Sequence, residues 1–210
     1  SLVEKGVEVI GVTLRLWKER DEAGGTASAQ VGEGSEPAQL VARHLGIPFI
    51  LLDAEQQFKS RVVDYFIRVY VAGRTPNPCV RCNQALKFGF LLQYAASSHI
   101  PLMATGHYAR VRHSTQGYEL LRGIDRQKDQ SYFLYTLTQN QLSRVVFPVG
   151  SLTKEATRTI ARQRGLPVSD RPSSQDLCFI PDGDYRRFLT RHASHLCEPG
   201  PIYDTSGQLL

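Results

Sequence analysis

Residues 7–16 (VEVIGVTLRL) are dense in β-branched and aliphatic side chains, the pattern of a buried strand, and they follow Leu2 to Gly6, which reads as the last turn of a helix stopping at glycine. The stretch 18–35 is polar, glycine-rich and aperiodic, which predicts a surface loop. Residues 36–45 then predict a helix closed by Gly46, and Pro48 to Leu52 a second strand. Strand, helix and strand in such close succession predict a parallel βαβ unit and a sheet covered on both faces. Phe58, Val62, Tyr65, Phe66, Val69 and Tyr70 recur at spacings of three and four, so residues 55–72 predict a long amphipathic helix ended by Gly73. Asn83 is placed to cap the next helix, with apolar positions Leu86, Phe90, Leu91 and Tyr94. A strand is predicted over 101–105, and 108–112 with 118–122 predict a hairpin or a strand pair added to the sheet. Helices are expected over 130–137, 139–145 and 154–164, a short strand over 177–180 and a short basic helix over 185–192. Residues 199–210 read as a strand, a turn and the start of another strand, which predicts that more chain follows.

These elements occupy 210 residues with 41% apolar and 21% charged positions, a globular composition that excludes a disordered or fibrous chain. A chain of this length buries roughly 70% of its unfolded surface without a disulfide scaffold, which leaves the cysteines for chemistry. No apolar run approaches the roughly 18 to 20 residues of a spanning helix, and the first residues lack the pattern of a secretory signal. The expectation is a cytoplasmic protein with reduced thiols and no membrane partner. The net charge is +5, and the excess sits between Arg74 and Lys128, where eight Lys and Arg face only Glu119 and Asp125. Cations interspersed with Tyr, His and Phe suit phosphate neutralisation and base stacking, which points to nucleic acid; the plainer reading is a solvated charged face.

Candidate chemistry lies in four segments. Cys79-Val80-Arg81-Cys82 follows Pro76-Asn77-Pro78, two prolines that fix the approach, and Arg81 with a helix start at Asn83 is expected to favour thiolate over thiol. A zinc half-site, a thioredoxin-like pair and two structural cysteines remain the other readings of that spacing. Cys178 enters a short apolar strand from the polar Ser173-Ser174-Gln175-Asp176, so it either faces a cleft or packs as a small apolar residue. Gly106-His107 follows a strand at the carboxyl edge of the sheet, where ligands bind in such folds, although taken alone it reads first as a turn with an exposed histidine; Lys128-Asp129-Gln130-Ser131 reads as a capped helix start, of a kind also suited to phosphate or a base edge. Cys197 is assigned no role.

Taken together, Val9 to Trp17, Ala72-Gly-Arg-Thr-Pro-Asn-Pro-Cys-Val-Arg-Cys-Asn83, Ala104-Thr-Gly-His-Tyr108, Lys128-Asp-Gln-Ser-Tyr-Phe-Leu134, Phe147-Pro-Val-Gly150 and Ser174-Gln-Asp-Leu-Cys-Phe-Ile180 resemble the tRNA-specific 2-thiouridylases (MnmA), in family order over nearly the whole chain. The resemblance implies an α/β fold with a parallel-sheet nucleotide-binding domain of the adenine nucleotide alpha hydrolase, or ATP pyrophosphatase, type over residues 1–195, with the start of a further β-containing region over 196–210. It implies ATP and magnesium, tRNA as substrate, replacement of O2 of the wobble uridine by sulfur, and a sulfur-donor protein such as a cysteine desulfurase or relay protein as partner. By the same resemblance Cys82 is the nucleophile and Cys178 the persulfide carrier, a pair able to close a disulfide. Asn77, Pro78 and Cys79 meet the target base, His107, Lys128, Asp129 and Gln130 contact tRNA, and Leu14 and Gly106 contact ATP. Family members carry Asp or Cys at the position of Cys79, so Cys79, Cys82 and Cys178 are also candidate ligands of an iron-sulfur cluster.

The family's Ser-Gly-Gly-x-Asp-Ser phosphate loop is absent from these 210 residues; Gly24-Gly25-Thr26-Ala27-Ser28 lacks the Asp and follows the strand instead of preceding it. The expectation is that the 210 residues alone are inactive or severely impaired. A non-catalytic tRNA-binding fragment, a metal-cluster protein and another ATP-dependent enzyme of the same fold are the alternatives.

Overall fold

The computed structural model describes residues 2–17, 35–167, 177–180, 182–194 and 200–210. The predicted loop up to residue 34, Ser173 to Asp176, Cys197 and the expected boundary at 195/196 lie outside them. Strand β1 (Gly11–Arg15) pairs in parallel with β2 (Phe49–Asp53), and helix α1 (Ser35–Leu45) forms the crossover. The helix stops where Gly46 takes a φ of 65°, a left-handed conformation open to glycine at little cost. The βαβ unit is as expected, but the buried strands are not. No residue of either strand is buried, and Leu51 is 46% exposed. Each is an edge strand among the described residues, so water reaches their side chains from the flank.

Helix α2 covers residues 55–71 as Glu55–Phe58, a π-helical Lys59–Val63 and Asp64–Val71, and Gly73 beyond it has a φ of 68°. Helix α3 covers residues 78–97 as Pro78–Cys82, a π-helical Asn83–Phe90 and Leu91–Ser97. It begins earlier than expected. Asn77 is the cap, its side chain accepting from the Val80 N–H at 3.1 Å, and Pro78 occupies the first helical position, where a missing N–H costs nothing. Asn83 is therefore inside the helix, where it donates to the Phe133 carbonyl at 3.4 Å.

Strand β3 (Met103–Ala104) pairs in parallel with β6 (Val145–Val146), and β4 (Ala109–Ser114) forms an antiparallel hairpin with β5 (Gly117–Arg122). The helix expected over 130–137 is instead a single 3-10 turn, Ser131–Phe133, because Asp129 and Gln130 bind backbone groups on either side of it. Helix α4 (Gln139–Leu142) has a Thr138–Gln141 capping box, α5 (Lys154–Gln163) is capped by Thr153 and α6 (Tyr185–Ala193) by Asp184. Residues 177–180 form a turn closed by Ile180 N–H to Leu177 O at 2.9 Å, in place of the expected strand. The terminal strand pair reduces to one bridge between Tyr203 and Leu209.

Two apolar clusters hold these elements. The first joins α2 (Phe58, Val62, Phe66), α3 (Ala85, Leu86), Phe179, Ile180 and Phe188; the second joins α3 (Phe88, Leu92) to Met103, Ala109, Leu134, Val145 and Phe147. Helix α3 is thus the spine between both cores, and its first turn carries Cys79 and Cys82. Gly150 lets the chain close over β4, since a Cβ there would lie 1.6 Å from the Ala109 carbonyl oxygen. No described helix is long and apolar enough to cross a membrane.

Candidate active site

Cys79 and Cys82 stand half-buried at the start of α3, and Cys178 is exposed on the turn 177–180; all three are free thiols. Packing brings the segments together. Cys82 and Leu177 both lie against the first cluster, in which Phe179 packs its ring 5.8 Å from Phe58 and 5.3 Å from Phe66. The thiols sense one another electrically. Solvent reaches Cys178, yet the protein packed around its thiol, and then the nearby Cys82 and Cys79, push it up to about 12. Burial also pushes the Cys82 and Cys79 thiols up.

The expectation that Arg81 and a helix start at Asn83 favour thiolate is therefore corrected. The Arg81 guanidinium lies over the Tyr65 ring at 5.8 Å and donates to Gln84 Oε1 and the Arg61 carbonyl, and the cap is at Asn77. Lys87, counted in the sequence only as part of the basic stretch, is the cation whose field opposes the upward shift at all three sulfurs. It sits one wide helical turn beyond Cys82 in the π-helical segment, a spacing that an ordinary helical reading of the sequence does not place on the cysteine face. At pH 8 Cys178 is expected to react with iodoacetamide about tenfold or more slowly than an ordinary free thiol, despite its exposure. Lys87→Met should slow Cys79 and Cys82 several-fold, and Lys87→Arg should not. Rapid alkylation of Cys178 at pH 8, followed by mass spectrometry of the peptides, contradicts this picture.

Among the described residues no group of three His, Cys, Asp or Glu has the arrangement to hold a metal ion, so the thiols as placed do not fit an iron-sulfur cluster. Gly106 and Leu14, the residues expected to contact nucleotide, lie on different strand pairs. Gly106 follows β3 with no atom within 4 Å of where a Cβ would stand, which leaves its backbone open to a ligand. Leu14, near the carboxyl end of β1, packs against the first cluster. The two pairs are not joined by any hydrogen-bonded strand among the described residues.

His107 is only 8% exposed, its Nδ1 is 2.7 Å from Thr105 Oγ1, and its ring lies against Phe88 and Phe147. Burial, aided by Lys87, holds it down to about 4, so it is a neutral ring in the core and not a phosphate-binding cation. Asp129 accepts from the Gly123 and Ser131 N–H groups and from Ser131 Oγ, and Gln130 accepts from the Tyr108 N–H at 3.1 Å. Both organise the loop, which leaves Lys128 exposed at its surface.

Residues 1–182 match the family model described as the tRNA methyl transferase HUP domain. Among curated relatives, the tRNA-specific 2-thiouridylase MnmA of Heliobacterium modesticaldum is 46% identical over 212 residues, covering 100% of this chain and 55% of that protein. The protein of the same name from Magnetococcus marinus is 47% identical over 211 residues, with 100% and 59% covered, and that from Roseiflexus sp. is 41% identical over 225 residues, with 99% and 60% covered. The chain thus spans little more than half the length of the curated relatives it matches. With the parallel βαβ unit, the capped C-x-x-C helix and the open glycine after β3 all falling inside the matched span, this chain belongs to the tRNA methyl transferase HUP-domain family.

Proposed function

We propose that this chain carries the sulfur-transfer site of an ATP-dependent tRNA thiolase that replaces O2 of the wobble uridine by sulfur. The observation that carries the reading is that three free thiols from two distant segments lie near enough at the start of α3 for Cys82 and Cys79 to act electrostatically on Cys178, and that Asn83 ties this helix to the segment following a basic loop. The family description names methyl transfer and the relatives are named thiouridylases. A set of thiols suits the second chemistry, which needs a sulfur carrier, whereas passing a methyl group to RNA needs none.

A uridine carbonyl oxygen is a poor leaving group, so O2 is first adenylated by ATP with loss of pyrophosphate. Gly106 and Leu14 would receive the nucleoside end, and a magnesium ion would accompany the phosphates. Asn77, Pro78 and Cys79 would border the base, and Lys128 a phosphate. A persulfide on Cys178, supplied by a sulfur-donor protein, attacks C2 with its outer sulfur, and AMP leaves with the former O2. The Cys82 thiolate then attacks the Cys178 sulfur. The S–S bond to the base-bound sulfur breaks, its electron pair stays on the thiolated base, and a Cys82–Cys178 disulfide remains for two-electron reduction by an external thiol. Residues 1–195 would form the catalytic unit and 196–210 begin a further β region.

Mild oxidation followed by peptide mapping tests the assignment. Cys82–Cys178 is expected as the dominant cross-link, since that pair must meet in each turnover. A product dominated by Cys79–Cys82, or no intramolecular cross-link, contradicts it.

A further inference from the structure

The loop that follows β5 separates its charges by direction. The Asp125 carboxylate accepts from the Gln127 and Lys154 N–H groups, and that of Asp129 from Gly123 and Ser131, so both acids are turned toward backbone. Arg122, Arg126 and Lys128 are exposed. Immediately after them come two aromatic side chains that the core does not use: Tyr132 is 59% exposed and Tyr135 is 72% exposed, while Leu134 between them is fully buried. Leu134 anchors the loop in the second cluster, Phe133 lies with its ring 3.9 Å from that of Tyr132, and the Asn83 side chain ties the Phe133 carbonyl to α3 one residue beyond Cys82. Two outward tyrosines on a fixed backbone, next to outward cations and tethered to the thiol helix, form a surface that no internal packing explains.

We propose that Tyr132 and Tyr135 are a stacking platform for unpaired bases of the RNA substrate, with Lys128 and Arg126 on the flanking phosphates. This deepens the function proposed above and rests on RNA being the substrate. Single-stranded RNA loops offer π-faces that a paired helix hides, and aromatic side chains beside cations are the chemistry that receives them. A platform fixed beside α3 holds the bases next to the target while the thiols act on it, which makes Tyr132 and Tyr135 positioning residues.

The test measures binding of this chain to an unmodified tRNA anticodon stem-loop and to a fully paired hairpin of equal charge. Tyr132→Ala and Tyr135→Ala should each weaken stem-loop binding by about 5- to 150-fold with little change for the paired hairpin. Tyr132→Phe should restore it, because the ring and not the hydroxyl makes the contact. Lys128→Ala should weaken both RNAs alike and lower the salt dependence of binding. Equal stem-loop binding by wild type and both alanine variants overturns the platform while leaving an RNA substrate in place. Equal loss on both RNAs also overturns it, as does sedimentation showing that the tyrosines join two copies of the chain. Failure of the wild-type chain to bind either RNA overturns the platform together with the functional reading beneath it. Circular dichroism and melting of the exposed-site variants, expected to match wild type, separate binding effects from misfolding.

Discussion

Phe66→Ala is expected to cost about 3–5 kcal/mol of stability, the range for deleting a buried phenyl ring and leaving a cavity. Phe66 is 1% exposed, and its ring lies 4.9 Å from Tyr70, 5.3 Å from Phe179 and 6.0 Å from Phe188, in edge-to-face contacts that join α2 to the Cys178 turn and to α6. Little backbone is free to fill the gap, because Phe58 and Val62 on the same helix are themselves fully buried. A domain of this size has about 5–15 kcal/mol in total, so the variant should lose roughly a fifth or more of it. Urea unfolding measures this directly. Loss of the Phe179 contact should also free the Cys178 thiol, so alkylation at pH 8 should become faster in the variant. A stability loss within about 1 kcal/mol, the range for tolerated volume-conserving swaps, contradicts the packing described.

Stability is expected to fall by about 3 kcal/mol between pH 7 and pH 4 through His107 alone. The unfolded chain binds a proton there below about 6.5, whereas burial and Lys87 hold the folded group down to about 4. Between those values the unfolded state binds more protons, so stability declines as the pH drops and is independent of this group above about 6.5. Carboxylates held below their ordinary values, such as Asp125 through its backbone hydrogen bonds, add their own loss only at the acid end of that window and below it. His107→Gln, which cannot take up a proton, should flatten the slope between pH 6.5 and 4. An unchanged slope in urea midpoints contradicts a buried neutral ring.

Local signals made the βαβ unit legible: a β-branched run, an amphipathic helix and glycines at 46 and 73 whose positive φ ends helices. The hairpin over 109–122 was equally plain. What failed depends on contacts far along the chain. Asn83 looked like a cap because polar residues favour caps, and its actual partner, Phe133, is 50 residues away. Asn77 before Pro78 was itself a helix-start signal, obscured by reading the two prolines as a rigid loop. Residues 130–137 looked helical, but Asp129 and Gln130 pin the backbone to Gly123 and Tyr108, allowing only one tight turn. The raised thiols have the same origin, since burial at Cys82 and Cys178 is created by α2, α3 and Phe179 meeting in space. The resemblance pointed to the cysteines, and the structure added Lys87 and the two exposed tyrosines as candidates.

The central claim is sulfur transfer by Cys82 and Cys178, and an anaerobic thiolation assay tests it most directly. The chain is joined to an upstream Ser-Gly-Gly-x-Asp-Ser segment and given unmodified tRNA, ATP, magnesium, a thiol reductant and a cysteine desulfurase with free cysteine, which delivers sulfur already at the persulfide level, with product read by mobility in a mercury gel. Thiolated tRNA is expected with the parent and none with Cys82→Ser or Cys178→Ser. Equal product from both serine variants contradicts the account.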